Sequence, residues 1–327
     1  MNCTISTSIK FAIITSIFFY ICFAISIIFV LFFYLLSFFN LIQDQQSINL
    51  IGTASRWCER ISDNVFREPI NTISNIGFMA IGLYLAYVIS NDKHKNNINH
   101  FTGINSISII YVIAVIFLGP GAMLMHGTNT EWGNWVDNLS MIMFIVIPWL
   151  YNILLMRKKS INNFLYTYII LIFLYGFFRG LYGWELGINL NVFGVSIGLW
   201  IISEFLYHFW SPLMRIASGF IGFFVMMIFG MNLTDIFNNF SEYWWILLFW
   251  LPGLLANTKP FTKRSIKWFI FGSIAYYFAF SVWLTGVPDH PSCNPDSLIQ
   301  AHGLWHLLSA IACLFFFYHY RSQTLIK

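Results

Sequence analysis

The stretch SISIIYVIAVIFLGPGAMLMHGTNTEWGNWVDNLSMIMFIVIPWLYNILLM, residues 106–156, holds two apolar runs divided by one polar turn. Each run is about 20 residues long, which suffices to cross a bilayer as a helix. The turn, Gly127 to Trp135, is short, so the two helices meet at the same membrane face. His126 ends the first run and Asp137 opens the second. Ionisable residues at the edge of membrane helices are costly and are functional candidates by default. A lone histidine at a helix end is more often structural than a ligand, so the pair needs company before it means chemistry.

The surrounding sequence has the same character. The chain is 58% hydrophobic and 9% charged, against about 25% charged in ordinary soluble domains. Lipid must be the solvent for most of this surface. The basic residues are few and lie in short loops, which excludes a nucleic-acid binder. Ten candidate spans can be drawn at roughly 11–38, 70–90, 105–125, 135–156, 163–182, 190–208, 213–231, 243–257, 266–286 and 300–320. The expected fold is all-α, a polytopic transmembrane helix bundle. The first span is longer than the apolar core of a signal peptide and reads as an uncleaved anchor.

Charge gives this count an orientation. Ten crossings place both termini and alternate loops on one side. That side collects Lys10, Lys93, Lys95, Arg157, Lys158, Lys159, Arg215, Lys259, Lys263, Arg264, Lys267, Arg321 and Lys327, most of the 17 Lys and Arg residues. The other side has Arg56, Arg60, Arg67 and Arg179. Positive residues mark the cytoplasmic side, so both termini are expected there. His126 and Asp137 fall on the opposite side.

The last span begins with a second histidine motif, HGLWH, in which His302 and His306 lie four residues apart. That spacing puts both imidazoles on one helix face, where they bind a metal or simply form an interfacial hydrogen-bonded pair. Six crossings separate Asp137 from His302, so His126, Asp137, His302 and His306 share one leaflet. Three histidines and a water are the open arrangement of catalytic zinc. A neighbouring carboxylate, here Asp137, suits the handling of that water's proton.

Cysteine placement follows the topology. Cys22 and Cys313 fall in spans and Cys3 in the cytoplasmic tail, leaving Cys58 and Cys293 on the side that favours disulfides. A Cys58–Cys293 bridge is expected, with buried thiols as the alternative. Glu204 and His208 are also four residues apart, near the other end of their span, and read as a packing pair. Arg179 and Glu185 are expected to pair at the outer interface.

WCERISDNVFREPINTISNIGF (57–78), GPGAMLMHGT (119–128), Asp137 and the late HGLWH, in this order, resemble the alkaline ceramidase family. That family belongs to a superfamily of seven-helix membrane hydrolases that also includes the adiponectin-type receptors. The resemblance covers roughly residues 56–320. It implies a seven-helix core with extra helices, here about ten in total, residues 1–45 being the anchor and 46–327 the ceramidase-like domain. It implies zinc held by His126, His302 and His306, with Asp137 positioning the hydrolytic water. The implied reaction is hydrolysis of the amide bond of a ceramide-type membrane lipid to a sphingoid base and a fatty acid.

Three departures stand out. Ala122 occupies the position, four residues before the first histidine, where the family usually has Ser; Thr128 and Ser140 are the candidate replacements. The segment between the ligand blocks is long enough for two extra helices. Animal members bind calcium ahead of the core, and Trp57, Glu59 and Glu68 match by position, with Asp63 or Asn64 as further oxygen donors. The leading acid of that pattern is Arg56 here, and calcium needs six to eight oxygens. A lipid receptor on the same scaffold is the alternative that Ala122 favours. A transporter is a third, suggested by the helix number.

Overall fold

The computed structural model describes residues 2–92, 99–157, 160–183, 186, 190–228, 230 and 232–326, with the backbone alone over 2–16. Lys93, Lys95, Lys158, Lys159, Glu185 and Lys327 lie outside the described residues, and with Glu185 the expected Arg179 pair. Among the described residues the chain is all-α apart from two strands of two residues each, Thr262–Lys263 and Thr324–Leu325.

The helices are α1 (Asn2–Phe38), α2 (Gln45–Asn49), α3 (Pro69–Ser74), α4 (Ile76–Ser90), α5 (Ser106–Thr128), α6 (Glu131–Arg157), α7 (Ile161–Tyr182), α8 (Val192–Phe209), α9 (Pro212–Ala217), α10 (Gly219–Ile228), α11 (Leu233–Asn238), α12 (Leu251–Leu255), α13 (Ile266–Trp283) and α14 (Ala301–Arg321). A 3-10 helix, Trp244–Trp250, precedes α12. Eight stretches among the described residues are long and apolar enough to span a membrane, α3 and α4 counting together. Phe173, Phe177 and Leu181 on α7, and Phe271, Ile274 and Phe278 on α13, are exposed. Large apolar side chains in such rows face lipid. The chain is an integral, multi-pass membrane protein.

The expected seventh and eighth spans are shorter than drawn. Residues 213–231 resolve into α9 and α10, and 243–257 into the 3-10 helix and α12; their apolar helices, Gly219–Ile228 and Trp244–Leu255, stay below 18 residues. Pro252 sits at the start of α12, where its missing N–H breaks no helical bond. The indole of Trp250 donates to the carbonyl of Ile216 at 2.9 Å, and Arg215 Nε donates to that of Gly253 at 2.9 Å. Side chains thus satisfy carbonyls that a continuous helix would have used.

The chain divides into two compact units, Met1–Ser140 with Arg264–Thr324, and Met141–Lys263 with Leu325–Lys327. In the first, small residues let helices approach closely. A Cβ on Gly82 of α4 would stand 2.4 Å from Ile116 of α5, and one on Gly272 of α13 would stand 2.5 Å from Phe316 of α14. Helix α1 packs on α4 and α5. Its Phe33 is buried with Met79 and Met123, stacks on Phe66, and fills the space beside Gly127, next to His126.

In the second unit, Asn152 of α6 donates to Glu204 Oε2 at 2.8 Å and to Ser203 Oγ at 3.0 Å. Glu204 Oε1 lies 3.2 Å from His208 Nε2. This buried polar group ties α6 to α8.

Candidate metal centre

The site is assembled at the start of α3, the end of α5 and the start of α14. Asn105 caps the N-terminus of α5 through a capping box with Ser108, and Asn129 ends it in the left-handed conformation. The segment before α3 lies along that end. Arg67 N–H donates to the carbonyl of Gly127, and Glu68 N–H to that of His126, both at 3.0 Å. These bonds place the Glu68 carboxylate beside the imidazole of His126, with Oε2 2.8 Å from Nδ1.

Three imidazoles converge. His126, His302 and His306 are buried, and one donor nitrogen from each lies within 4.8 Å of the other two. The Nε2 atoms of His126 and His302 are 3.2 Å apart. The surroundings decide which nitrogen carries hydrogen. An ionised carboxylate only accepts, so His126 Nδ1 donates to Glu68 and leaves its Nε2 lone pair facing the cluster. Ser74 Oγ donates to the carbonyl of Asn71 at 2.9 Å. Its single hydrogen is thereby committed, so at 2.8 Å it accepts from His306 Nδ1. The Nε2 lone pair of His306 is freed in the same way. His302 is held by stacking: its ring lies on Trp57 with centroids 4.3 Å apart and planes 15° from parallel. His302 Nε2 is placed to donate to the His126 Nε2 lone pair, while its Nδ1 is buried without a partner. Three imidazoles gathered this closely are a donor set that fits zinc, and a carboxylate or hydroxyl on the outer ring nitrogen, as Glu68 and Ser74 supply here, is a common way for such ligands to be oriented.

Asp137 lies nearly two turns into α6, half-buried, and its charge acts on His126. Ala122 is buried one turn before His126. Of the two hydroxyls considered as replacements for Ser, Thr128 Oγ1 donates to the carbonyl of Leu124 and contacts Thr130 Oγ1. Ser140 Oγ lies against Gly121, the neighbour of Ala122, where a Cβ would come within 2.5 Å of it, and donates to the carbonyl of Asp137. Ser140 is therefore the hydroxyl near the Ala122 position.

The residues matched to calcium have other partners. Glu59 is buried and accepts from the backbone N–H of Ile70 at 2.7 Å and of Asn71 at 2.8 Å, closing the N-terminus of α3. Burial raises its pKa, opposed by those two donors. Glu68 is engaged with His126 and with Asn71 Nδ2. Asp63 is exposed, 3.4 Å from Arg67 Nη1, and Asn64 is exposed as well. Trp57 stacks on His302. The described residues do not bring Glu59, Asp63 and Glu68 into one group with donor atoms within 4.8 Å.

Cys58 and Cys293 are joined by a disulfide with Cα atoms 5.7 Å apart. Next to it Arg60 binds Asp296 through both carboxylate oxygens, at 2.6 and 2.7 Å, and its N–H donates to the carbonyl of Pro295. The Arg60 guanidinium holds Asp296 below its ordinary pKa. Together these contacts moor the segment carrying Trp57 and Glu59 to the loop that leads into His302.

Sequence reasoning passed over Ser74 and gave Glu68 a different role. A signal existed: Asn71, Thr72, Ser74 and Asn75 are a polar cluster at the mouth of an apolar span, which marks function in a membrane helix.

Residues 52–326 match the protein family described as Ceramidase. No curated protein matches the chain.

Proposed function

This chain belongs to the ceramidase family, hydrolases of amide bonds, and on that premise we propose that it is a zinc-dependent membrane amidase that cleaves the N-acyl bond of ceramide-type lipids. The observation that carries the zinc assignment is the tautomer arrangement. Glu68 and Ser74 each take the outer nitrogen of a buried histidine, so that Nε2 of His126 and of His306 is offered to a shared point beside His302. Bound there, zinc supplies a Lewis acid that makes hydroxide available near neutral pH.

The remaining work falls to this chain's own groups. His126, His302 and His306 would hold the metal; Trp57 fixes the plane of His302. Asp137 takes the proton of the attacking water and returns it to the departing nitrogen. The acyl C–N bond breaks, the water oxygen stays on the acyl carbon, and the products are a fatty acid and a sphingoid base. Lipid-facing gaps between helices admit the chains, while the buried polar cluster orients the amide. The distribution of Lys and Arg supports placing both termini in the cytoplasm and the site toward the opposite leaflet.

The test is zinc content and release of fatty acid from a panel of N-acyl lipids, on one purified sample. About one zinc per chain with turnover on ceramides is expected, and His302→Ala abolishes both. Full activity in that variant would sink the assignment. Ala122 supports a second reading, a lipid receptor with the same site and little turnover. Ala122→Ser then raises the rate; an unchanged rate removes Ala122 as its basis.

A further inference from the structure

Asn71 and Asn75 flank the histidine cluster, and both are fully buried. The orientation of each carboxamide is set through its nitrogen. Asn71 Nδ2 donates to Glu68 Oε2 at 2.8 Å, and Asn75 Nδ2 donates to the carbonyl of Asn71 at 2.6 Å. Turning either amide over would set oxygen against oxygen. Each Oδ1 is therefore pinned, and neither has a hydrogen-bond partner in the protein. A buried acceptor without a donor carries a desolvation cost that native structures rarely leave standing.

Their place in the fold is specific. Asn71 shares Glu68 Oε2 with His126, and its carbonyl accepts from Ser74, the support of His306. Asn75 lies in the break between α3 and α4, and its carbonyl faces Gly119 of α5. Two neutral acceptors lacking donors are complementary to a ligand with donors to spare. A ceramide is such a ligand: it carries an amide N–H and hydroxyl groups beside the scissile bond. An ester lipid without hydroxyls offers neither.

We propose that Oδ1 of Asn71 and Oδ1 of Asn75 accept hydrogen bonds from the donors flanking the amide, so that the site selects hydroxyl-bearing N-acyl lipids. This specificity rests on the amidase reading of the same site. It is read separately from turnover, by equilibrium binding of a fluorescent ceramide and its 3-deoxy and 1-deoxy analogues to full-length protein stripped of metal, in lipid nanodiscs. Removing the recognised hydroxyl weakens binding to wild type about tenfold, the scale of one to two net hydrogen bonds. Asn75→Leu narrows that ratio to within about twofold; Asn75→Ser repeats the comparison should the leucine variant fail to fold. With metal restored, the same preference appears in KM rather than in kcat.

Equal binding of ceramide and both deoxy analogues by wild type overturns the proposal. So does a ratio that survives in the Asn75 variants, which would leave Asn75 a structural residue. Hydroxyl-dependent binding without turnover on any amide keeps these acceptors and removes the amidase reading.

Discussion

Among the described residues two carboxylate–histidine pairs have a buried carboxylate, and they differ in which ring nitrogen the carboxylate meets. In the first unit Glu68 contacts Nδ1 of His126, 2.8 Å away, leaving Nε2 turned toward two more imidazoles. In the second unit Glu204 lies 3.2 Å from Nε2 of His208, and Asn152 occupies its other oxygen. On the zinc reading the first carboxylate orients a ligand; the second joins α6 to α8. Identical residue types therefore take different roles, and the deciding variable is the direction from which the carboxylate approaches the ring.

The comparison can be broken at several points. The largest effect is expected at the histidines themselves. His126→Ala removes bound zinc and lowers hydrolysis by at least about 1,000-fold, in line with loss of a catalytic metal. His208→Ala leaves zinc content near one per chain, read by elemental analysis. Equal zinc loss in both would erase the distinction.

The carboxylates come next. Glu68→Gln keeps the shape but replaces the charged acceptor, and weakens zinc binding about 10- to 100-fold. Glu204→Gln lowers the melting temperature without moving zinc affinity. Competition with a chelator of known affinity separates the two.

A third measurement asks whether the segment carrying Glu68 must be moored. The Cys58–Cys293 bridge spans 235 residues, and losing a native disulfide costs about 2–5 kcal/mol. Cys293→Ser should lower the melting temperature and loosen zinc, because the Trp57 segment then loses its tie to the loop before His302. A Glu204-centred property, such as protection of α8 from hydrogen exchange, should move less.

The smallest effect concerns Arg60 and Asp296. A depressed carboxylate pKa contributes stability that is present above its ordinary value near 4 and is lost as pH falls through the lowered one. Wild type should lose a little stability between about pH 5 and 3, and Asp296→Asn should lack that component. The pair is exposed, so the difference is small and salt-sensitive.

Much of the site was legible from local pattern. An i, i+4 spacing on one helix fixes how His302 and His306 stand to each other, whatever surrounds that helix. A short turn put His126 beside Asp137, and the parity of crossings led to the expectation that His302 and His306 share their leaflet. Cys58 and Cys293 were distinguishable by topology alone. The expected spans at 213–231 and 243–257 came out as shorter helices because hydropathy records burial in lipid or protein alike, and does not register where side chains take over backbone bonds.

Sequence by itself therefore determined the solvent, the all-α class and the pairing of His302 with His306, since each depends on composition or on spacing along one helix. Tertiary structure alone decided the shell around them. Ser74 meets His306 across 232 residues, and Glu68 meets His126 across 58. Contacts over such separations depend on the packing of small residues such as Gly82 against Ile116, and on the backbone bonds that lay Arg67 and Glu68 along the end of α5. The tautomers that turn Nε2 of His126 and of His306 toward the cluster follow from those contacts, and no local spacing encodes them.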